Sequence, residues 1–73
     1  MNSKKNVTFV GLGTMGYPMA GHLSSSELFN VCVFNRSPEK SSKWRSDHDG
    51  RVAETIEDAV KDADIVMFLA PDE

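Results

Sequence analysis

Val7-Thr8-Phe9-Val10-Gly11-Leu12-Gly13-Thr14-Met15-Gly16 is a β-branched and aromatic run that stops at a glycine cluster. A short apolar run ending in a tight turn is the pattern of a buried strand. Beyond the glycines, Met15, Met19 and Leu23 recur at helical spacing with Ala20 among them, which predicts a helix from Thr14 to about Ser25. Pro18 falls in its first turn, where the missing N–H costs little because those groups have no intrahelical acceptor. The glycine cluster therefore joins a strand to a helix.

Working outward, Val31-Cys32-Val33-Phe34 is a second continuous apolar run, expected of a parallel strand covered on both faces. Ser37-Pro38-Glu39 then reads as N-cap, first helical position and acidic first turn of a helix carrying Lys40 to about Arg45. Asp49-Gly50 breaks the chain, and Val52-Ala53 is at most a brief third strand. Thr55 and Asp58 are spaced as a capping box for a helix ending near Lys61. Ile65-Val66-Met67-Phe68-Leu69 is the strongest buried-strand signal in the chain. The order β-α-β-α-β-α-β requires crossover connections, hence a parallel sheet with helices on both faces. The fold class is α/β: the N-terminal part of a Rossmann-type doubly wound sheet, incomplete without downstream strands.

Gly11-Leu12-Gly13-Thr14-Met15-Gly16 is a G-x-G-x-x-G fingerprint in the strand-to-helix setting that gives it meaning. Gly11 permits the tight turn, Gly13 lets a pyrophosphate approach the backbone, and Gly16 allows close helix-to-strand packing. The helix N-terminus adds unpaired N–H groups and a positive dipole end for the phosphates. At the end of the second strand an Asp or Glu would bond the adenosine ribose of NAD, but here the chain reads Asn35-Arg36-Ser37. A carboxylate would repel a 2′-phosphate, whereas a guanidinium offers it forked donors and a hydroxyl adds another. The expected cofactor is NADP, with NAD as the secondary candidate.

Composition bounds what else the chain does. Its 73 residues include no apolar run near the roughly 18 needed to span a bilayer, and the start Met1 to Asn6 is polar, so a cytoplasmic protein with no membrane partner is expected. Cys32 is the only cysteine, which excludes an intrachain disulfide or a thiolate metal cluster, and it reads as a small buried hydrophobe. Arg36, Lys40, Lys43, Arg45 and Arg51 make a basic stretch beside the expected phosphate site, while the net charge of −3 argues against nucleic acid as a partner. Trp44, at helical spacing after Lys40, is expected to pack its helix on the sheet rather than stack on adenine. His22 and His48 have no placed acid or base partner and read as structural.

Phe9-Val10-Gly11-Leu12-Gly13-Thr14-Met15-Gly16-Tyr17-Pro18-Met19-Ala20-Gly21-His22-Leu23 resembles the N-terminal signature of the β-hydroxyacid dehydrogenase family. That family includes 3-hydroxyisobutyrate dehydrogenases, tartronate semialdehyde reductases and glyoxylate or succinic semialdehyde reductases. Val33 to Ser37 is similar to the second-strand ending of its NADP-preferring members, and Ala63 to Val66 through Pro71-Asp72 resembles its fourth strand and following loop. Two departures stand out: Ser24 to Phe29 replaces the family's glycine turn and is one residue longer, and Ala70 stands where a larger apolar residue is usual.

The resemblance implies that Leu69, Ala70 and Pro71 border the cofactor beside Leu12, Thr14, Met15 and the rest of the turn. It also implies a parent oxidoreductase that moves a hydride between NADP(H) and a small β-hydroxy acid or its semialdehyde, and that forms a homo-oligomer. The family's catalytic lysine, its neighbouring asparagine, its substrate-binding serine-glycine segment and its helical domain would lie beyond residue 73. Residues 1–73 are accordingly read as the N-terminal portion of the NADP-binding domain, with no residue assigned to catalysis. The alternative is a stand-alone nucleotide-binding or sensor module. An FAD or S-adenosylmethionine site is disfavoured because those also want an acid where Asn35 and Arg36 stand.

Overall fold

The computed structural model describes residues 4–13 and 15–69. Its elements run β1 (Lys5–Val10), α1 (Gly16–Ser24), β2 (Phe29–Phe34), α2 (Pro38–Asp47), β3 (Arg51–Val52), α3 (Ile56–Val60) and β4 (Ile65–Phe68). The four strands form one parallel sheet in the order β3-β2-β1-β4. The expected element order is present, with α2 reaching two residues past Arg45, β3 starting one residue early and β4 ending one residue before Leu69.

Strand alternation sends successive side chains to opposite faces. Val7, Phe9, Val31 and Val33 face α1 and α2 and close over Ala20 and Trp44 in the larger core. Cys32 on the other face packs with Ala53 and Ala59, the latter from α3. Thr8 also points to that side, where its buried hydroxyl donates to the Ala59 carbonyl at 2.6 Å and so docks the short α3 on the sheet. Trp44 is fully buried, as its helical spacing predicts, so its indole anchors α2 and is not open to a ligand.

Capping chemistry follows the sequence in one helix and departs from it in two places. Thr55 Oγ1 accepts from the Asp58 N–H at 3.0 Å and starts α3 as expected. Ser37 holds the N-cap position of α2, but its hydroxyl makes no capping bond; the expectation that it would is corrected. Where the family resemblance calls for a glycine after α1, serines supply the turn. Ser24 and Ser25 hydroxyls donate to the Gly21 and His22 carbonyls, both at 2.8 Å, and Ser26 Oγ accepts from the Leu28 N–H. Ser25 keeps right-handed backbone, so no left-handed residue is needed there.

Candidate functional site

In a doubly wound sheet, ligands bind beyond the carboxyl ends of the strands where the strand order reverses. In the order β3-β2-β1-β4 that point lies between β1 and β4. The glycine turn after β1 occupies it.

Gly11 has φ +103°, a conformation that side chains resist, and a Cβ there would stand 2.5 Å from the Leu69 carbonyl oxygen. Gly16, the first residue of α1, is as tightly placed: a Cβ on it would meet the Gly11 carbonyl oxygen at 2.5 Å and Leu69 Cδ1 at 2.8 Å. The loop is thereby drawn against the end of β4, where the Leu69 N–H donates to the Val10 carbonyl at 2.9 Å. Leu69, assigned to the cofactor's border by resemblance, thus stands against the glycine turn.

Two further bonds fasten the turn to the end of β2. The Gly11 N–H donates to the Phe34 carbonyl at 2.8 Å, and the Leu12 N–H donates to Asn35 Oδ1 at 2.8 Å. Leu12 is only 1% exposed, its side chain turned into the core. Its role is to build the turn, since neither its side chain nor its N–H is open to a phosphate. The N–H groups of Met15 and Gly16 have no acceptor among the described residues, and Met15 lies exposed at the start of α1. These are the donors that a helix start offers an anion. Thr14, Ala70 and Pro71 lie outside the described residues.

At the end of β2, Asn35 is half-buried and both ends of its amide are engaged: Oδ1 with Leu12, Nδ2 donating to the Ser37 carbonyl at 3.2 Å. Arg36 follows directly, exposed and without an ion pair among the described residues. Arg51, by contrast, is paired with Asp58 at 3.2 Å, at the start of β3. The residues brought together are therefore Gly11, Gly13, Met15 and Gly16 in the turn, Leu69 against it, and Asn35, Arg36 and Ser37 at its flank. A helix start whose first N–H groups have no acceptor among the described residues, a tightly packed glycine turn before it and an exposed guanidinium at its flank fit the phosphates of a dinucleotide.

Nothing in the spacing of residues announced the Leu12–Asn35 bond, because a polar side chain after a strand reads equally well as a surface residue. A cleft of about 570 Å³ lined by Lys4, Asn6, Thr8, Asn30, Arg51 and Asp58 opens at the amino ends of the strands. That is the wrong end of the sheet for the cofactor. Among the described residues there is no cluster of His, Cys, Asp and Glu able to hold a metal, and no helix long and apolar enough to cross a membrane.

Comparison with known proteins agrees with this geometry. Residues 6–73 match the family described as the NAD binding domain of 6-phosphogluconate dehydrogenase. An uncharacterized oxidoreductase of Shewanella frigidimarina (strain NCIMB 400) is 45% identical over 61 residues, which is 84% of this chain and 21% of that protein. The chain thus spans about a fifth of the relative's length. Among solved structures, Mycobacterium tuberculosis 3-hydroxyisobutyrate dehydrogenase with L-serine superposes with a TM-score of 0.83 at 29% identity, over 94% of this chain and 23% of that one. An imine reductase from Pseudomonas sp. gives 0.80 at 27% identity, over 90% and 22%.

Proposed function

Because the chain belongs to the family of NAD(P)-binding domains typified by that of 6-phosphogluconate dehydrogenase, we propose that it forms the pyrophosphate- and adenosine-binding part of an NADP-dependent oxidoreductase. The observation that carries NADP over NAD is the end of β2. Arg36 stands there exposed and unpaired among the described residues, and the position that would hold a ribose-binding carboxylate is Asn35, whose amide is engaged with the fold. Glycine-turn N–H groups hold the pyrophosphate, Gly13 lets it approach the backbone, Gly11 and Gly16 let the turn pack against Leu69, and Arg36 with the neighbouring Ser37 meets the 2′-phosphate. Leu69 with Ala70 and Pro71 borders the cofactor toward its nicotinamide half.

The bound dinucleotide supplies the hydride chemistry; this chain's residues bind and orient it. The parent acts on a small β-hydroxy acid or its semialdehyde, a reading supported by the likeness to 3-hydroxyisobutyrate dehydrogenase. On the same reading it works in the cytoplasm as a homo-oligomer, with neither nucleic acid nor membrane as partner.

The test is the dissociation constant of each cofactor for wild type and Arg36→Ala at one fixed salt concentration, since salt screens an exposed phosphate contact. A charge-assisted hydrogen bond contributes about 1.5–3 kcal/mol, so Arg36→Ala should weaken NADP by roughly one to two orders of magnitude. NAD should bind as before. Equal wild-type affinities, or equal losses for both cofactors, would refute the assignment of NADP.

A further inference from the structure

Asn35 stands in the strand-end position that reads the ribose in NAD enzymes, yet its amide is spent inside the protein. An asparagine side chain has one acceptor oxygen and two N–H donors. Here Oδ1 takes the Leu12 N–H at 2.8 Å, and Nδ2 gives a hydrogen to the Ser37 carbonyl at 3.2 Å. These two bonds reach to two different segments. One grips the glycine turn, where the neighbouring Gly11 N–H is already held by Phe34. The other spans Arg36 and grips the carbonyl that also accepts the Lys40 N–H at the start of α2.

Arg36 is thus bracketed at the backbone by the side chain of the residue before it. Its guanidinium can swing freely, but its Cα is fixed relative to the pyrophosphate turn. We propose that Asn35 is a positioning residue, which ties the pyrophosphate-binding turn to the loop presenting Arg36 so that both ends of a 2′-phosphorylated adenosine diphosphate moiety meet their donors in register. It acts through Leu12 and Ser37 and does not touch the cofactor. The proposal rests on the dinucleotide-binding reading above, but it assigns Asn35 a different role from that of a phosphate-contacting group.

The probes are ADP-ribose and its 2′-phosphate, because they contain only the part of the cofactor that these residues meet. In the 73-residue chain, Arg36→Ala should weaken only the phosphorylated probe. Asn35→Ala should weaken both, by about tenfold each, as expected from losing the hydrogen bonds that hold the turn. The double variant decides between positioning and general damage. If Asn35 sets where Arg36 stands, the penalty of Arg36→Ala on the phosphorylated probe should shrink by at least threefold once Asn35 is alanine.

Should Asn35→Ala not fold, the same cycle is run on Asn35→Asp, which keeps an acceptor for Leu12 and loses the donor to Ser37. That variant should hold ADP-ribose within about twofold of wild type, while Arg36 again contributes less. Strictly additive losses, or an Asn35→Ala defect confined to the phosphorylated probe, overturn the positioning role alone. A wild-type chain that binds neither probe overturns this role together with the cofactor reading beneath it.

Discussion

The phenolic hydroxyl of Tyr17 on α1 donates a hydrogen bond to the Asp47 carboxylate at the end of α2, 2.5 Å away. The two helices lie side by side on one face of the sheet, and this bond joins them at the surface above the buried Trp44. The Tyr17 ring also meets His48 edge-on, with centroids 5.9 Å apart, and His48 in turn lies 5.4 Å from Trp44. His48 is therefore a packing residue between helices, in keeping with its structural reading in the sequence.

That bond has a pH signature. The hydrogen bond to Asp47, then desolvation, then the carboxylate's charge push the Tyr17 hydroxyl from 10.0 up to about 12. A group whose folded pKa is raised contributes stability that is fully present below its unfolded pKa and is lost as pH rises through the folded one. The contribution should therefore hold up to pH 10 and fade between 10 and about 12. Tyr17 is the chain's only tyrosine, so phenolate absorbance reports it alone. Wild type should titrate later than Asp47→Asn; coincident midpoints would show that the bond is not formed in solution.

Gly16→Ala sets two effects against each other. Alanine is favoured over glycine in a helix by about 1 kcal/mol, yet its Cβ would lie 2.5 Å from the carbonyl oxygen of Gly11, a residue tied to β2 through its N–H. Leu69 Cδ1 can rotate aside, but that oxygen cannot move without opening the turn. Overpacking of this kind costs about 1–3 kcal/mol, so the steric term should win. Urea denaturation should show a net loss of stability, and ADP-ribose binding should fall by tenfold or more. A stabilised variant with intact binding would mean that the loop is looser than its packing indicates.

How much of this was legible in the residues depends on whether the signal is periodic. β1, β2 and β4 announce themselves as unbroken apolar runs and α1 by its helical repeat, whereas α2 and α3 are legible from their caps and the two-residue β3 only faintly. The glycine turn is legible because only glycine tolerates the φ of Gly11 and the closeness at Gly16. The use of polar side chains is not legible in the same way. Ser37 has the residue type and position of a capping hydroxyl and makes no capping bond. Asn35 has the position of a cofactor contact and is spent on Leu12 and Ser37. The Tyr17–Asp47 pair spans 30 residues and depends on how α1 and α2 lie against each other, which local spacing does not encode.

Cys32 should behave as a structural residue. It is 7% exposed, and burial pushes its thiol pKa up against the opposing pull of Arg51, which keeps it in the unreactive protonated form. As the only cysteine, it can be followed by a thiol-reactive dye without interference. Labelling at mildly alkaline pH should be slow in the native chain and fast in denaturant. Fast native labelling would show that the α3 face opens readily.

The last expectation concerns β4, which ends the sheet on the side away from β3. Alternate residues of a strand turn their backbone groups to opposite sides. Since the Leu69 N–H donates to the Val10 carbonyl on β1, Ile65 and Met67 turn their N–H and C=O groups to β1, and those of Val66 and Phe68 face outward. The strand that carries them is wholly apolar, with Ile65 43% and Phe68 70% exposed. Edge strands of natural proteins are usually blunted by Lys, Pro or a bulge, and an apolar edge without them invites another strand. The 73-residue chain should therefore associate as its concentration rises, by pairing at β4. Phe68→Lys should shift that association to about tenfold higher concentration or more, because it places a charge in the new interface. Leu28→Lys, at a side chain equally exposed but in the turn before β2, should leave it unchanged. Sedimentation velocity over a wide concentration range reads both variants. A chain that stays monomeric and cooperatively folded throughout, or equal effects of the two lysines, would show that β4 is not the associating edge.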